Sequence, residues 1–148
     1  MEPTLSPQQL AAWRNLITAH ALLIEQIDRD LAAAGCIPLH WYDVLVELVE
    51  APEQRLRMSE LARRVVLSRS TLTHMAARLE GEGLLRRERV DADRRGAYAV
   101  LTEAGRAALR KAWPVYARGI EAYFARHLSE AEAEQLGAML ARMLADRP

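Results

Sequence analysis

The residues best suited to chemistry lie in one short row. If residues 69–82 form a helix, Arg69, Ser70, Thr73, His74, Ala77 and Arg78 share one face. Leu72, Met75, Ala76 and Leu79 then fall at i, i+3, i+4 and i+7 on the other. The row has short hydrogen-bonding side chains, cations near both ends, and Glu80 as its one acid before the last turn. Such a surface can approach a polyanion and meet base edges in the major groove of DNA, which admits a helix. Solvation alone would explain each of these residues singly. Their place after a helix and turn favours groove contact for the set, extended to Ser68, Thr71 and Arg78. Ser70 and Thr73 suit either base type, and Arg69 suits a phosphate or a guanine.

Other chemistries find no support. His20, His40, His74 and His127 have no second ligand at metal-binding spacing. Gly81-x-Gly83 ends a helix instead of opening one after a strand, so it is no phosphate loop, and no G-x-S-x-G elbow occurs. An enzyme is not expected, nor a cofactor or metal. Cys36 is the single cysteine, so no disulfide forms within the chain. A buried structural thiol is the plain reading of it, and a redox-sensing thiol the sharper one.

The elements that must position the row follow from patterning. Leu61, Ala62, Val65 and Val66 are the inward positions of a preceding helix. Ser68 stands where a hydroxyl caps the next helix, and Gly83 where a left-handed residue closes it. From Leu84 a basic hairpin begins; its turn is Asp91-Ala92-Asp93-Arg94-Arg95-Gly96 and its return strand Ala97 to Leu101. A tip with two adjacent arginines can enter the narrow minor groove. Arg86 and Arg87 suit ion pairs as well as DNA.

Upstream, Ser6-Pro7-Gln8-Gln9 starts a helix that Gly35 ends. Leu10, Trp13, Ile17, Ile24, Ile27 and Leu31 form its seam around His20, which reads first as a core histidine. Pro38 to Glu50 is a second helix with Trp41, Val44, Leu45 and Leu48 buried, and residues 51–54 form a loop. Thr102 caps a long helix with Leu109, Trp113, Tyr116, Ile120 and Phe124 along one seam and Pro114 kinking or breaking it. Ser129 and Glu132 open a last helix with Leu136, Met139, Leu140, Met143 and Leu144 inward.

Net charge is zero over 148 residues, but its distribution is uneven. Residues 1–54 hold 2 arginines and 8 acids, residues 55–95 hold 11 arginines and 6 acids. The segment with the row and the hairpin is thus near +5, an electrostatic footprint suited to DNA. No apolar run spans a bilayer and no signal-peptide pattern opens the chain, so a cytoplasmic location without membrane contact is expected.

The order helix–turn–helix, LEGEGLLRR, the DADRR turn and LTEAGR resembles the MarR (multiple antibiotic resistance regulator) family, over nearly the whole chain. The resemblance implies a mainly α fold with a small β-hairpin wing: a winged helix-turn-helix plus a terminal-helix dimerisation domain. Residues 1–148 would be one MarR-like domain, with 37–101 as the DNA-binding lobe and 6–34 with 102–146 as dimerisation helices. It implies a sequence-specific transcription regulator, a repressor released by a small aromatic or phenolic effector. The homodimer would grip a pseudo-palindromic duplex operator. By the same resemblance Arg94 inserts in the minor groove and Asp93 orients it; Arg95 suits either a phosphate contact or a pairing with Asp91. Trp13, His20, His40, Trp41, Tyr42, Trp113 and Tyr116 are the candidate effector-pocket residues. A winged helix that binds a protein partner is the rival from another class. Relatives that sense peroxide carry their thiol near the start of the first helix, whereas Cys36 follows its end.

Overall fold

The computed structural model describes residues 1–89 and 96–147. Among them the elements run α1 (Pro7–Ala33), α2 (Leu39–Glu50), β1 (Arg55–Arg57), α3 (Met58–Arg64), α4 (Arg69–Gly81), β2 (Leu85–Arg89), β3 (Ala97–Leu101), α5 (Glu103–Tyr123) and α6 (Glu130–Ala145). Short 3-10 turns occupy Pro52–Gln54 and Ala125–His127. The chain divides into two compact units, Met1–Arg29 with Tyr116–Pro148 and Asp30–Val115. The division falls inside α1 and α5.

The unit from Asp30 to Val115 carries an antiparallel sheet in the order β1-β3-β2. Leu56 pairs with Ala99, and Leu85 with Leu101, so these apolar residues fall on one face of the pleat. They pack into a core with Leu45 and Leu48 of α2, Leu61 of α3, and Leu72 and Leu79 of α4, all buried. β1 is a strand that the sequence patterning does not predict. At three residues it is too short for a period-2 pattern to register. In α2, Val44, Leu45 and Leu48 are buried as expected, while Trp41 is only half-buried and Tyr42 is buried in its stead.

The helix ends explain how α4 is set. The Ser68 Oγ accepts from the Thr71 N–H at 3.2 Å, which satisfies one of the donors left free at the start of α4. At the other end Gly83 takes φ +74°, and the Leu84 N–H donates to the Leu79 carbonyl at 2.9 Å. α3 closes the same way, the Leu67 N–H donating to Ala62 O at 3.0 Å, but the left-handed residue there is Val66 at φ +57°. Val66 is 67% exposed, contrary to its expected inward position, because α3 stops at Arg64 and helical phase no longer applies. A β-branched residue in this region is a genuine outlier.

α5 is locked against the end of α4 by Thr102 and Gly105. The Thr102 hydroxyl donates to Gly83 O at 2.6 Å and accepts from the Gly105 N–H at 3.1 Å. A Cβ on Gly105 would stand 2.1 Å from Leu84 O, so only glycine permits this approach. The buried stripe of α5 in this unit is Gly105, Leu109 and Ala112, while Trp113 is 51% exposed, off the expected seam. α5 runs unbroken through Pro114.

In the other unit, Gly119 of α5 meets Ile27 of α1; an added Cβ would lie 2.9 Å from Ile27 Cγ1. The Gln26 amide donates to the Tyr123 hydroxyl at 3.4 Å. Capping boxes open α1 at Ser6 and α6 at Ser129. The apolar seam of α1, the end of that of α5, and the α6 stripe expected to be inward are largely uncovered within this chain. Leu10, Trp13, Ile17, Phe124, Met139, Met143 and Leu144 are exposed, and α6 has no buried residue. His20 is exposed too, so it is not a core histidine. These stripes are apolar because of their sequence, but a single copy offers nothing to bury them.

Candidate nucleic-acid interface

The recognition row survives intact as geometry. Arg69, Ser70, Thr71, Thr73, His74 and Arg78 are exposed on α4, while Leu72, Ala76 and Leu79 are buried beneath them. Burial of that inner face fixes the rotation of the helix and hence which side chains project. The Thr73 hydroxyl donates to Arg69 O at 2.7 Å, so outward it offers an acceptor and a methyl group. Ser68 is exposed but engaged, donating to the Thr71 Oγ1 at 2.8 Å. Its part is to hold the start of the helix. Asp93, Arg94 and Arg95 lie outside the described residues.

Two acids bind the wing arginines. Glu80 on α4 accepts from the Arg87 backbone N–H at 2.8 Å and from its guanidinium at 3.0 Å. These contacts hold the Glu80 carboxyl below its ordinary pKa, the backbone hydrogen bond contributing most. The one acid of the row's helix before its last turn is therefore spent on tying helix to wing. Arg86 pairs with Glu88 at 2.9 Å, so for both arginines the ion-pair reading fits the geometry. On the sheet, Arg55 lies 4.0 Å and Arg57 5.5 Å from the Tyr98 ring centre, within cation–π range.

A cleft of about 460 Å³ opens between the start of α3, α4 and the two hairpin strands. Arg57, Ser59, Arg69, Thr73 and Arg87 line it, over the apolar Met58 and Leu72. Arg57 and Ser59 were not singled out from sequence. Arg57 precedes a helix as a poor cap and carries no motif, and only the strand β1 shows that it faces the same concavity as Arg69.

The aromatic set is dispersed across both units. Trp13, His20 and Tyr116 belong to the unit with α6, and His40, Trp41, Tyr42 and Trp113 to the unit with the sheet. Trp13 is exposed, and His40 meets Trp41 edge-on with ring centres 6.3 Å apart. None of the seven lines the 460 Å³ cleft or the 230 Å³ groove beside Tyr123. Cys36 is half-buried at the end of α1, with Sγ 3.7 Å from Lys111 O and 3.9 Å from Ala34 O. The Lys111 ammonium itself donates to Gly35 O at 2.8 Å. Among the described residues no cluster of three or more potential metal ligands occurs, and no helix is long and apolar enough to cross a membrane.

A family model for the MarR family matches residues 37–96, the span from α2 to the wing. Sco3205 of Streptomyces coelicolor, a MarR family transcriptional regulator solved in complex with DNA, is 35% identical. The match covers 99% of this chain and 91% of that one, with a TM-score of 0.89. The chain belongs to the MarR family. AbsC of the same organism, another MarR family regulator, is 33% identical over 99% of this chain and 100% of its own, with a TM-score of 0.86. BpsR of Bordetella bronchiseptica, whose DNA binding is regulated by 6-hydroxynicotinic acid, shares the fold at 20% identity and a TM-score of 0.79, covering 90% and 98% of the two chains. Comparison with curated protein sequences finds no match. As a MarR protein the chain is a DNA-binding transcription regulator with a winged helix, and not an enzyme.

Proposed function

We propose that this MarR protein is a homodimeric repressor that reads a pseudo-palindromic operator and is released by a small aromatic or phenolic anion. The observation that carries the DNA-reading part is the exposed row on α4 set against its buried inner face. Ser70, Thr73 and His74 supply base contacts, and arginines supply phosphate contacts and thus most of the affinity. Arg94 at the wing tip, oriented by Asp93, enters the minor groove.

The uncovered apolar stripes of α1 and α6 support a second copy as their cover. Residues 6–34 and 102–146 then form the dimerisation lobe, and 37–101 the DNA-binding lobe. Two recognition helices would lie roughly 34 Å apart, one turn of DNA. The effector would bind among Trp13, His20, His40, Trp41, Tyr42, Trp113 and Tyr116 and favour one spacing of the helices. A ligand that bound both spacings equally would shift nothing.

Sedimentation of the purified protein and gel shifts with single variants test this reading. A two-chain species is expected. Arg94→Ala should weaken all duplexes, while Thr73→Ala and His74→Ala should change sequence preference. A monomer, or three variants with identical effects, would refute it.

A further inference from the structure

The Thr73 hydroxyl has one proton, and that proton is committed. It is donated to Arg69 O at 2.7 Å, a carbonyl oxygen with no proton to give back. Outward, this exposed residue keeps the lone pairs of Oγ1 and the Cγ2 methyl. Ala77, also exposed, follows one turn later and adds a second methyl on the same face. We propose that Thr73 and Ala77 select A·T pairs in the operator: Thr73 accepts from the 6-amino group of an adenine, and the two methyls lie against the 5-methyl of a thymine. The inference rests on the reading of α4 as the base-contacting helix and adds to it which base pair this stretch prefers.

A threonine known only from sequence suits either base type, because a hydroxyl can donate or accept. The bond to Arg69 O removes the donor and holds the side chain in one rotamer. Guanine presents only acceptors, N7 and O6, to the major groove. These would meet the Oγ1 lone pairs with no proton between them, unless the hydroxyl left Arg69 O. Cytosine can donate from its 4-amino group, but it carries hydrogen where thymine carries a methyl. The apolar half of the contact is then lost. An A·T pair alone offers an amino donor and a methyl together. Burial of Leu72, Ala76 and Leu79 fixes the rotation of α4 and keeps Thr73 and Ala77 on its outward side.

Selection from a random duplex pool by the full-length protein supplies the sequence to test. Fluorescence anisotropy then measures binding with one base altered at a time. Deoxyuridine in place of thymidine removes the methyl, and purine in place of adenine removes the 6-amino group. At one pair in each half-site the wild type should lose about threefold to fivefold with deoxyuridine, the effect of one buried methyl. With purine it should lose about threefold to tenfold, the effect of one hydrogen bond. Thr73→Val keeps the shape and the methyl but has no acceptor. It should respond to purine at that pair no more than at uncontacted pairs, and still respond to deoxyuridine. Thr73→Ser keeps the acceptor without the methyl, so it should respond to purine as wild type does and to deoxyuridine less. Comparing variants at the same altered pair isolates the contact from the weaker pairing of purine itself. Matching melting curves exclude a folding defect. Equal purine losses in wild type and Thr73→Val at every pair, or no deoxyuridine effect at the pair that responds to purine, would overturn the proposal. So would coupling of Thr73→Val to a guanine whose O6 is removed by 2-aminopurine, since the hydroxyl would then be donating. If the pool yields no enriched sequence, the reading of α4 as a base-contacting helix fails instead.

Discussion

Gly105→Ala tests how the recognition helix is anchored. The added Cβ would lie 2.1 Å from Leu84 O and 2.6 Å from Leu101 Cδ1, where real Cβ atoms essentially never come within 3.0 Å. The Leu101 side chain can rotate away. The Leu84 carbonyl cannot, because it is backbone and already accepts from the Thr102 N–H at 3.3 Å. Relief therefore requires α5 to retreat by roughly 1 Å from the turn after α4, the shortfall from 3.0 Å. That retreat stretches the Thr102 hydroxyl bond to Gly83 O and the Thr102 N–H bond to Leu84 O, each worth about 1 kcal/mol. With packing strain added, the cost is about 2–4 kcal/mol. For a chain of this length that lowers the melting temperature by roughly 6–15 °C. Urea and thermal denaturation at one protein concentration measure it, since association would shift the midpoint. A loss under about 1 kcal/mol would refute the inference that this turn is rigid. The turn also orients α4, so DNA affinity should fall at temperatures well below the new midpoint.

Further tests probe the helix ends and the helix–wing tie. Val66→Gly should stabilise the protein by about 0.5–1 kcal/mol in a urea titration, because relief of the left-handed strain exceeds the entropy glycine adds to the unfolded chain. Ser68→Ala should cost about 1 kcal/mol by the same measurement and weaken DNA binding, as the first turn of α4 loses its cap. The Glu80 carboxyl is held below its ordinary value, so its pairing with Arg87 stabilises the fold above the usual carboxylate pKa and is lost as pH falls through the lowered one. Glu80→Gln should therefore be less stable than wild type at neutral pH, and the gap should narrow as pH falls through the lowered value, by denaturation across an acid pH series; a gap that does not narrow in acid would refute the role assigned to the charge.

Local signals made the binding lobe legible in the sequence. Ser68, the Leu72-Ala76-Leu79 stripe and Gly83 each act within one helix, and each stands in the structure where its chemistry places it. What escaped depended on neighbours distant in sequence. β1 exists because Leu56 pairs with Ala99, more than forty positions on, and three residues carry no periodicity of their own. Val66 looked apolar and inward until the end of α3 placed it at a left-handed position. The buried stripe of α5 passes through Gly105 and Ala112, where close approach decides burial, while the bulky Trp113 that dominates the pattern stays exposed. Arg57 gains meaning only from the cleft it shares with Arg69.

Competition binding to the duplex upstream of the protein's own gene, at two salt concentrations and with an unrelated duplex as competitor, tests the central claim most directly. The account predicts tight binding that resists the competitor and weakens steeply with salt, by about 0.9 in log–log slope per phosphate contacted. Binding that the competitor abolishes, or that ignores salt, would contradict the assignment of α4 as a sequence-reading helix.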